Sequence, residues 1–597
     1  FEPCVTNIVS AFLVHARRRR GAAQFKNKHL RRSKLPQIKY SNDGTIKWCQ
    51  SHVYSFKVSL LVTFKMSQNS LERTENEEKT FLNRNRDTHD DEECSGNNNE
   101  LAFEDAFELT GQGKFNYVVL LTCGLIMLNV SMESVGMSYV ITAAECELEL
   151  TSEHKGLITA AAFIGIISTS FLWGYLGDRF GRRAVMLPSM LASAVLSITS
   201  SFSINVWMLL ILRILTGCLV SASSATVYAY LGELHIKSRR ASAIAWASAF
   251  ISFSFIILPA LAWIIIPGKW SWSLFGFPIV PWRVFIWSWC VPGIIAACIL
   301  AWLPESARYL LSAKGPDKAL PVLARMYACN KGMGVDNYPV ERIITSSTEA
   351  KQSSGFVGAV KNLTLMFQAP LLRCVLISNT SMFAVFMLSS GLYMWVPDIL
   401  NSVMSDTSAE DITICQIIHN KFQAAMNETL EEETGPCHSE VSVKVFPISM
   451  GMGVVFAVTY MAIGLLISRI GRKTLYCSIM FVCGLATISA AFVPQAAGAT
   501  ALLILALCSG CAASILAAIA VDVFPTCLRA MAMCVMYMVG RTGAAVGSNI
   551  LGATLDRHCQ LAFTTFGVFI SGSVILMVFW PKPEKVRDEM EQRGLSY

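Results

Sequence analysis

Charge is scarce in this sequence. Asp, Glu, Lys and Arg make up 15% of the 597 residues, against 53% hydrophobic residues and a mean hydropathy of +0.47. Soluble domains carry roughly a quarter of their residues as charges, so water is excluded as the main solvent and a lipid bilayer is implied. Phosphate-cradling loops of the GxxxxGKS or GxxxxGKT type are absent, which argues against nucleotide-driven pumping. Zinc-ligand spacing and a nucleophile elbow are missing as well, so no metal, no cofactor and no enzymatic chemistry are expected. The 19 cysteines are scattered, mostly inside apolar runs where they act as small hydrophobes. Cys508 and Cys511 form a CxxC, but among Ala, Gly and Ser in a charge-free stretch it suits close helix packing better than redox chemistry.

The positive charge that does occur is unevenly placed. Residues 1–65 hold 13 Lys and Arg against 2 Asp and Glu, including the run Arg17 to Arg20, whereas the rest of the chain is net acidic. This segment has no apolar span. It reads either as a disordered basic arm drawn to anionic lipid or nucleic acid or as sequence outside the mature protein. The second is expected, because the acidic, polar stretch after Met66 resembles an ordinary cytosolic tail over 66–104. No nucleic-acid partner is expected.

A helix needs about 20 apolar residues to cross the hydrocarbon core. Charge-free runs cover 156–177, 184–212, 241–268, 284–304, 374–397, 445–468, 474–521 and 558–581. The run 474–521 holds two helices separated at Val493-Pro494-Gln495. Three more spans carry one internal charge each: 115–142 with Glu133, 206–230 with Arg213 and 530–552 with Arg541. The expectation is an all-α integral membrane protein of twelve spans. It divides into a half at 105–303, a central loop at 304–370, a second half at 371–580 with a long outer loop at 398–445, and a tail at 581–597. The Lys/Arg bias of the loops places both termini in the cytosol. The outer loop carries the sequon at Asn427, expected to be glycosylated, together with Cys415 and Cys437, read as a disulfide or as two free thiols.

The two halves repeat one another. Gly174-Tyr-Leu-Gly-Asp178-Arg179-Phe-Gly181-Arg182-Arg183 returns 290 residues later as Gly464-Leu-Leu-Ile-Ser468-Arg469-Ile-Gly471-Arg472-Lys473, and Glu233/Arg240 returns as Asp522/Arg529. Two parallel six-helix halves are one of the transporter architectures. The first copy resembles the loop motif of the major facilitator superfamily in full; the second has Ser468 in place of the acid. Pro304-Glu305-Ser306-Ala-Arg308 is similar to the P-E-S-x-R motif of sugar and organic-ion porters. Trp282-Arg283-Val284-Phe285, the stretch Gly391 to Asp398 and the stretch Phe524 to Ala530 resemble the synaptic-vesicle-glycoprotein-like branch. That branch often has an acidic pair in its first helix, of which Glu133 is present and Val130 replaces the other. The resemblance implies the major facilitator fold and alternating access. It further implies that Asp178 faces the N-terminus of the eleventh helix and Arg529, holding the cytosolic side shut.

Ionisable groups within hydrocarbon are functional candidates. Glu133, Arg213 and Arg541 are therefore read as substrate or ion-coupling residues, with a buried structural ion pair as the alternative for each. Tyr228, Tyr393, Trp395 and Tyr537 are candidate stacking or packing aromatics. The expected partners are a small organic solute, organic-ion or sugar-like, a proton as coupling ion, and the bilayer of a plasma membrane or vesicle. The competing reading is a transport-inactive glycoprotein serving as receptor or trafficking factor.

Overall fold

The computed structural model describes residues 100–591 except 269, 275–276, 345–365, 370, 406–411, 431–440, 525 and 582. The basic segment 1–65, the tail up to 99, Cys437 and the side chains of Asn427, Ser468, Asp522 and Arg529 lie outside the described residues.

Eleven helices among the described residues are long and apolar enough to cross a membrane. The first six are α1 Lys114–Ala143, α2 Ser152–Phe180, α3 Arg182–Ser200, α4 Val206–Glu233, α5 Lys237–Ile265 and α6 Pro281–Trp302. After the central loop come α7 Leu371–Leu392, α8 Val445–Ile470, α9 Arg472–Ala490 and α10 Ala497–Val521. The last, Thr526–Val578, has 53 residues. At 1.5 Å per residue it measures roughly 80 Å, more than twice the hydrocarbon thickness. Its helical dihedrals fail at His558 (φ −134°, ψ 41°), next to the charged pair Asp556-Arg557. It is thus two spans, α11 over 526–557 and α12 over 559–578, and the fold is an all-α bundle of twelve. An even number of crossings leaves the two ends of the bundle on the same face, called here the motif face.

Local sequence fixes where these helices start and turn. Thr151 and Asn205 cap α2 and α4 by accepting the backbone N–H groups of His154 and Met208. One glycine each joins α2 to α3 and α8 to α9, Gly181 at φ +108° and Gly471 at φ +88°. Positive φ is open to glycine and costly for other residues, which explains why that position recurs in both copies of the repeat. Two small β-pairs flank the bundle. β1 Glu100–Ala102 runs parallel to β4 Arg342–Ile344, and β2 Trp272–Leu274 forms a hairpin with β3 Phe277–Ile279 between α5 and α6.

The central loop is amphipathic, as its composition suggests. Helices Ala307–Lys314 and Pro316–Lys331 bury Ala307, Ala319, Leu323 and Met326 in the same apolar core as Phe115 and Val119 of α1. The loop therefore belongs structurally to the first half.

The halves meet at the face opposite the motifs. There Thr159 Oγ1 lies 2.5 Å from Ser548 Oγ and Tyr139 stacks on Phe446, while within the second half Trp395 Nε1 donates to the Ser548 carbonyl at 3.1 Å. Gly156 and Gly552 allow α2 and α11 to touch: a Cβ on Gly156 would stand 3.4 Å from the Gly552 Cα. At the motif face Asp178 is 74% exposed and no described salt bridge joins the halves. The hydrogen bonds and ion pair between described residues of the two halves lie at the face opposite the motifs, called here the closed face.

Outside the bundle, helix Ile414–Leu430 is bonded through Cys415 to Cys559 at the start of α12, with a Cα separation of 5.4 Å. This corrects the expected Cys415–Cys437 pairing. Cys559 had been read as an apolar filler within a span, but the break at His558 puts it at the membrane boundary, beside the buried Cys415. Cys146, in the α1–α2 connection, is disulfide-bonded too. A non-reduced proteolytic digest is expected to yield a linked peptide containing Cys415 and Cys559 that disappears on reduction; a Cys415–Cys437 peptide in its place would contradict the bond.

Candidate functional site

Three positions within spans carry charge at depth, and the structure gives them different surroundings. Glu133 and Arg213 are fully buried inside the first half and bonded to each other, Nη1 to Oε2 at 3.0 Å. Arg213 Nη2 also donates to the Glu133 backbone carbonyl at 2.6 Å. Ser197 of α3 donates to the same carboxylate at 3.1 Å and the Cys290 thiol of α6 reaches its other oxygen at 3.7 Å. The guanidinium sits 5.4 Å over the Trp289 ring. Both carboxylate oxygens and both terminal guanidinium nitrogens are thus engaged by α1, α3, α4 and α6, the arrangement a charge pair needs in low dielectric.

Arg541 is different. Among the described residues no hydrogen bond or salt bridge engages it, and it is half-buried on α11. Its neighbours along that helix face fix where it points. Ser548 and Gly552, seven and eleven residues on, are the residues that touch α2 at the closed face. Residues at i, i+7 and i+11 share a helical stripe, so Arg541 faces the first half. The exposed thiol of Cys534 is seven residues back on the same stripe. The titratable groups around the guanidinium include Tyr537, Cys534 and, from α4 of the other half, Tyr228. Tyr228 is itself anchored to Ser248 of α5 at 3.1 Å, and Tyr537 packs edge-on against Phe386. Tyr393 and Trp395, by contrast, are packed into the closed contact.

At the motif face the repeat and the central-loop motif form one network. Arg182 bridges Asp178 at 2.8 Å and Glu233 at 3.0 Å. Glu305 accepts the backbone N–H groups of Arg183 and Ala184, at 3.0 and 3.1 Å, and so caps the positive end of α3. Arg183 in turn donates to the carbonyls of Leu300 and Ala301, at the negative end of α6. Ser306 caps the following helix at Tyr309, whose hydroxyl donates to the Arg179 carbonyl. Pro304 accepts from the Tyr230 hydroxyl, and Arg308 grips Glu104 with two bonds of 2.6 and 2.9 Å. Between α4 and α5, burial holds the His235 imidazole below its ordinary pKa, so the neutral ring rests 2.8 Å from the Leu231 carbonyl. Arg240 packs its stem against Gly232. Gly174 and Gly464 have nothing within contact distance of a would-be Cβ, and Arg469 and Arg472 are exposed.

Two of the expected site residues have ion-pair partners within their own half. Glu133 does not line the space between the halves, because its partners wrap it inside the first half. Asp178 is bridged by Arg182 of its own half; the contact expected at the start of α11 falls on side chains, Arg529 among them, that lie outside the described residues. Sequence reasoning also passed over Lys155, Glu145 and Asp398, which meet at the closed face, and Glu104 and Glu147, which hold Arg308 and Arg283. Lys155 and Asp398 sit at the ends of apolar runs, where a lone charge looks like an ordinary boundary residue.

The contrast between the two arginines can be measured. Glu133→Ala strands a buried guanidinium and is expected to cost about 3 kcal/mol or more, read as a marked drop in the unfolding temperature of purified protein. Arg541→Ala removes no bond and should stay within about 0.5 kcal/mol of the parent.

The Major Facilitator Superfamily family model matches residues 119–418 and 412–594. Synaptic vesicle glycoprotein 2A of Rattus norvegicus is 29% identical over 235 residues, 39% of this chain and 32% of that protein. Synaptic vesicle glycoprotein 2B of Mus musculus is 26% identical over 365 residues, 56% of this chain and 52% of its own. The chain thus spans about a third to a half of the length of these relatives. Among solved structures, the partially occluded, inward-open xylose transporter XylE of E. coli superposes with a TM-score of 0.54 at 16% identity, over 79% of this chain and all of that one. A D-xylose-proton symporter gives 0.56 at 17%, over 79% and 99%. With the twelve-span bundle, the paired motif loops and a family match over most of its length, this chain belongs to the major facilitator superfamily.

Proposed function

We propose that the chain is a secondary carrier of a small organic anion, working by rocking of α1–α6 against α7–α12, with Arg541 as the group that meets the solute. The observation that carries the substrate class is the state of the charges at depth. Glu133 and Arg213 pair with each other, whereas Arg541 stands without a carboxylate among the described residues, on the stripe facing the opposite half. A positive charge in a partly dehydrated cleft favours a counter-ion strongly, and a guanidinium offers a planar fork to a carboxylate or phosphate. Tyr228 and Tyr537 add aromatic faces on both sides of the gap, suited to an organic rather than an inorganic anion. A carrier built this way is loaded from the motif face, which the Lys/Arg bias assigns to the cytosol, and both termini are cytosolic.

The fully engaged surroundings of Glu133 support a structural pair, so a coupling proton need not pass through that residue. The neighbours are a proton symporter and a sugar transporter by name, which makes a proton gradient and a neutral sugar the natural controls.

Uptake into proteoliposomes should be screened with aromatic carboxylates, organic cations and sugars, with and without a pH gradient. Anion uptake is expected. Arg541→Ala should lower it at least about tenfold, the effect of losing one charge-assisted contact of roughly 1.5 kcal/mol or more, and Arg541→Lys should keep part of it. Uptake of a sugar or a cation that Arg541→Ala leaves unchanged would refute the substrate class, and no uptake of any class would favour a receptor or trafficking role.

A further inference from the structure

Of the salt bridges between described residues, one crosses from half to half, and it lies at the closed face. Lys155, in the first turn of α2, reaches Asp398 just beyond α7 with its Nζ 3.1 and 3.3 Å from the two carboxylate oxygens. The same ammonium is 2.9 Å from Glu145 in the α1–α2 connection. Lys155 is buried, with 4% of its side chain exposed; Asp398 shows 11% and Glu145 32%. The other contacts across this mouth are neutral: Thr159 with Ser548, and Tyr139 with Tyr393.

The two carboxylates are not equivalent. Glu145 and Lys155 belong to the same half and are ten residues apart, so they stay together whatever the halves do. Asp398 belongs to the other half and must leave when this mouth opens. One ammonium has three donors and a single charge, so in the closed state two carboxylates share it and repel each other across it. A cavity of about 110 Å³ beside the cluster, bordered also by Ser152, Ser402, Lys421 and Asp556, leaves room for water around the surplus negative charge.

We propose that Lys155 is a hand-over latch: it ties the halves through Asp398 while this mouth is shut and is retained by Glu145 when the mouth opens. A cation pulled from its only partner faces a large penalty at a partly dry site. With Glu145 waiting, the ion pair is exchanged rather than broken, so the mouth closes firmly and still opens. The three residues then have opposed roles. Asp398 favours the shut mouth; Glu145 favours the open one, since it competes for Lys155 when shut and is its partner when open.

The test reads conformation and needs no solute, so its failure is separable from failure of the proposed carrier activity. Spin labels replace Glu153 and Arg557, exposed positions on either side of this mouth, in full-length protein in nanodiscs whose unpaired cysteines are changed to alanine and whose disulfides are kept. Pulsed electron-electron distances give the fraction with the mouth open. Asp398→Asn is expected to raise the open-to-shut ratio about fivefold and Glu145→Gln to lower it by a similar factor. Asp398→Glu, which keeps the charge, should match the parent and shows that the site tolerates substitution. The hand-over is overturned if Glu145→Gln leaves the ratio unchanged or raises it, or if Asp398→Asn does not raise it.

Discussion

A charge placed in hydrocarbon must find a partner, and the organisation of this protein follows from how each one does so. Glu133 and Arg213 find each other and, with Ser197, Cys290 and Trp289, bind four helices of the first half into a rigid unit. Arg283 is held by Glu147 in the α1–α2 connection. Lys155 is held at the rim by two carboxylates, one from each half. Only where the halves part does a deep charge, Arg541, go without a protein partner among the described residues. A group that evolution leaves unpaired in such a place needs its partner supplied from solution.

The same logic runs through the motif face. There the anionic and cationic residues of the loop motifs are used to cap helix ends and to pin the central loop to the first half: Glu305 at the start of α3, Arg183 at the end of α6, Arg308 on Glu104. The first half and the central loop thereby move together. Apart from the Lys155–Asp398 pair, the contacts between halves along α2 and α11 are of another kind, small residues and hydroxyls, which separate without exposing unsatisfied charge. Rigid halves joined by small-residue contacts and one exchangeable ion pair suit a rocking mechanism.

Much of this was legible in the sequence. Charge-free runs of twenty or more residues gave the spans because hydrocarbon tolerates little else, and the repeat at 174–183 and 464–473 gave the halves because the same glycine turn was needed twice. Arg541 was identifiable as an isolated charge in an apolar run. Its lack of a partner was not, because pairing depends on which helix faces which, and nothing local encodes that. Glu133 shows the converse: it and Arg213 stand at comparable depth in α1 and α4, so a pair between them was legible as an alternative, and the fold brings the two together at 3.0 Å. Cys559 was hidden by the same difficulty, since the break at His558 that brings it to the boundary interrupts an otherwise continuous helical pattern. Lys155, Glu145 and Asp398 looked like loop charges because each is ordinary alone.

The central claim is that the space lined by Arg541 opens alternately to the two faces. It is tested most directly by labelling two single cysteines with a membrane-impermeant thiol reagent: native Cys534, on the stripe toward the motif face, and Ser548→Cys, in the closed seam. The account predicts that Cys534 reacts only from the motif face and Ser548→Cys only from the opposite face. Locking the mouth shut across α2 and α11 should abolish the second reaction while sparing the first. If Ser548→Cys in folded protein reacts from neither face under any condition, the halves are fixed and the protein is not a carrier.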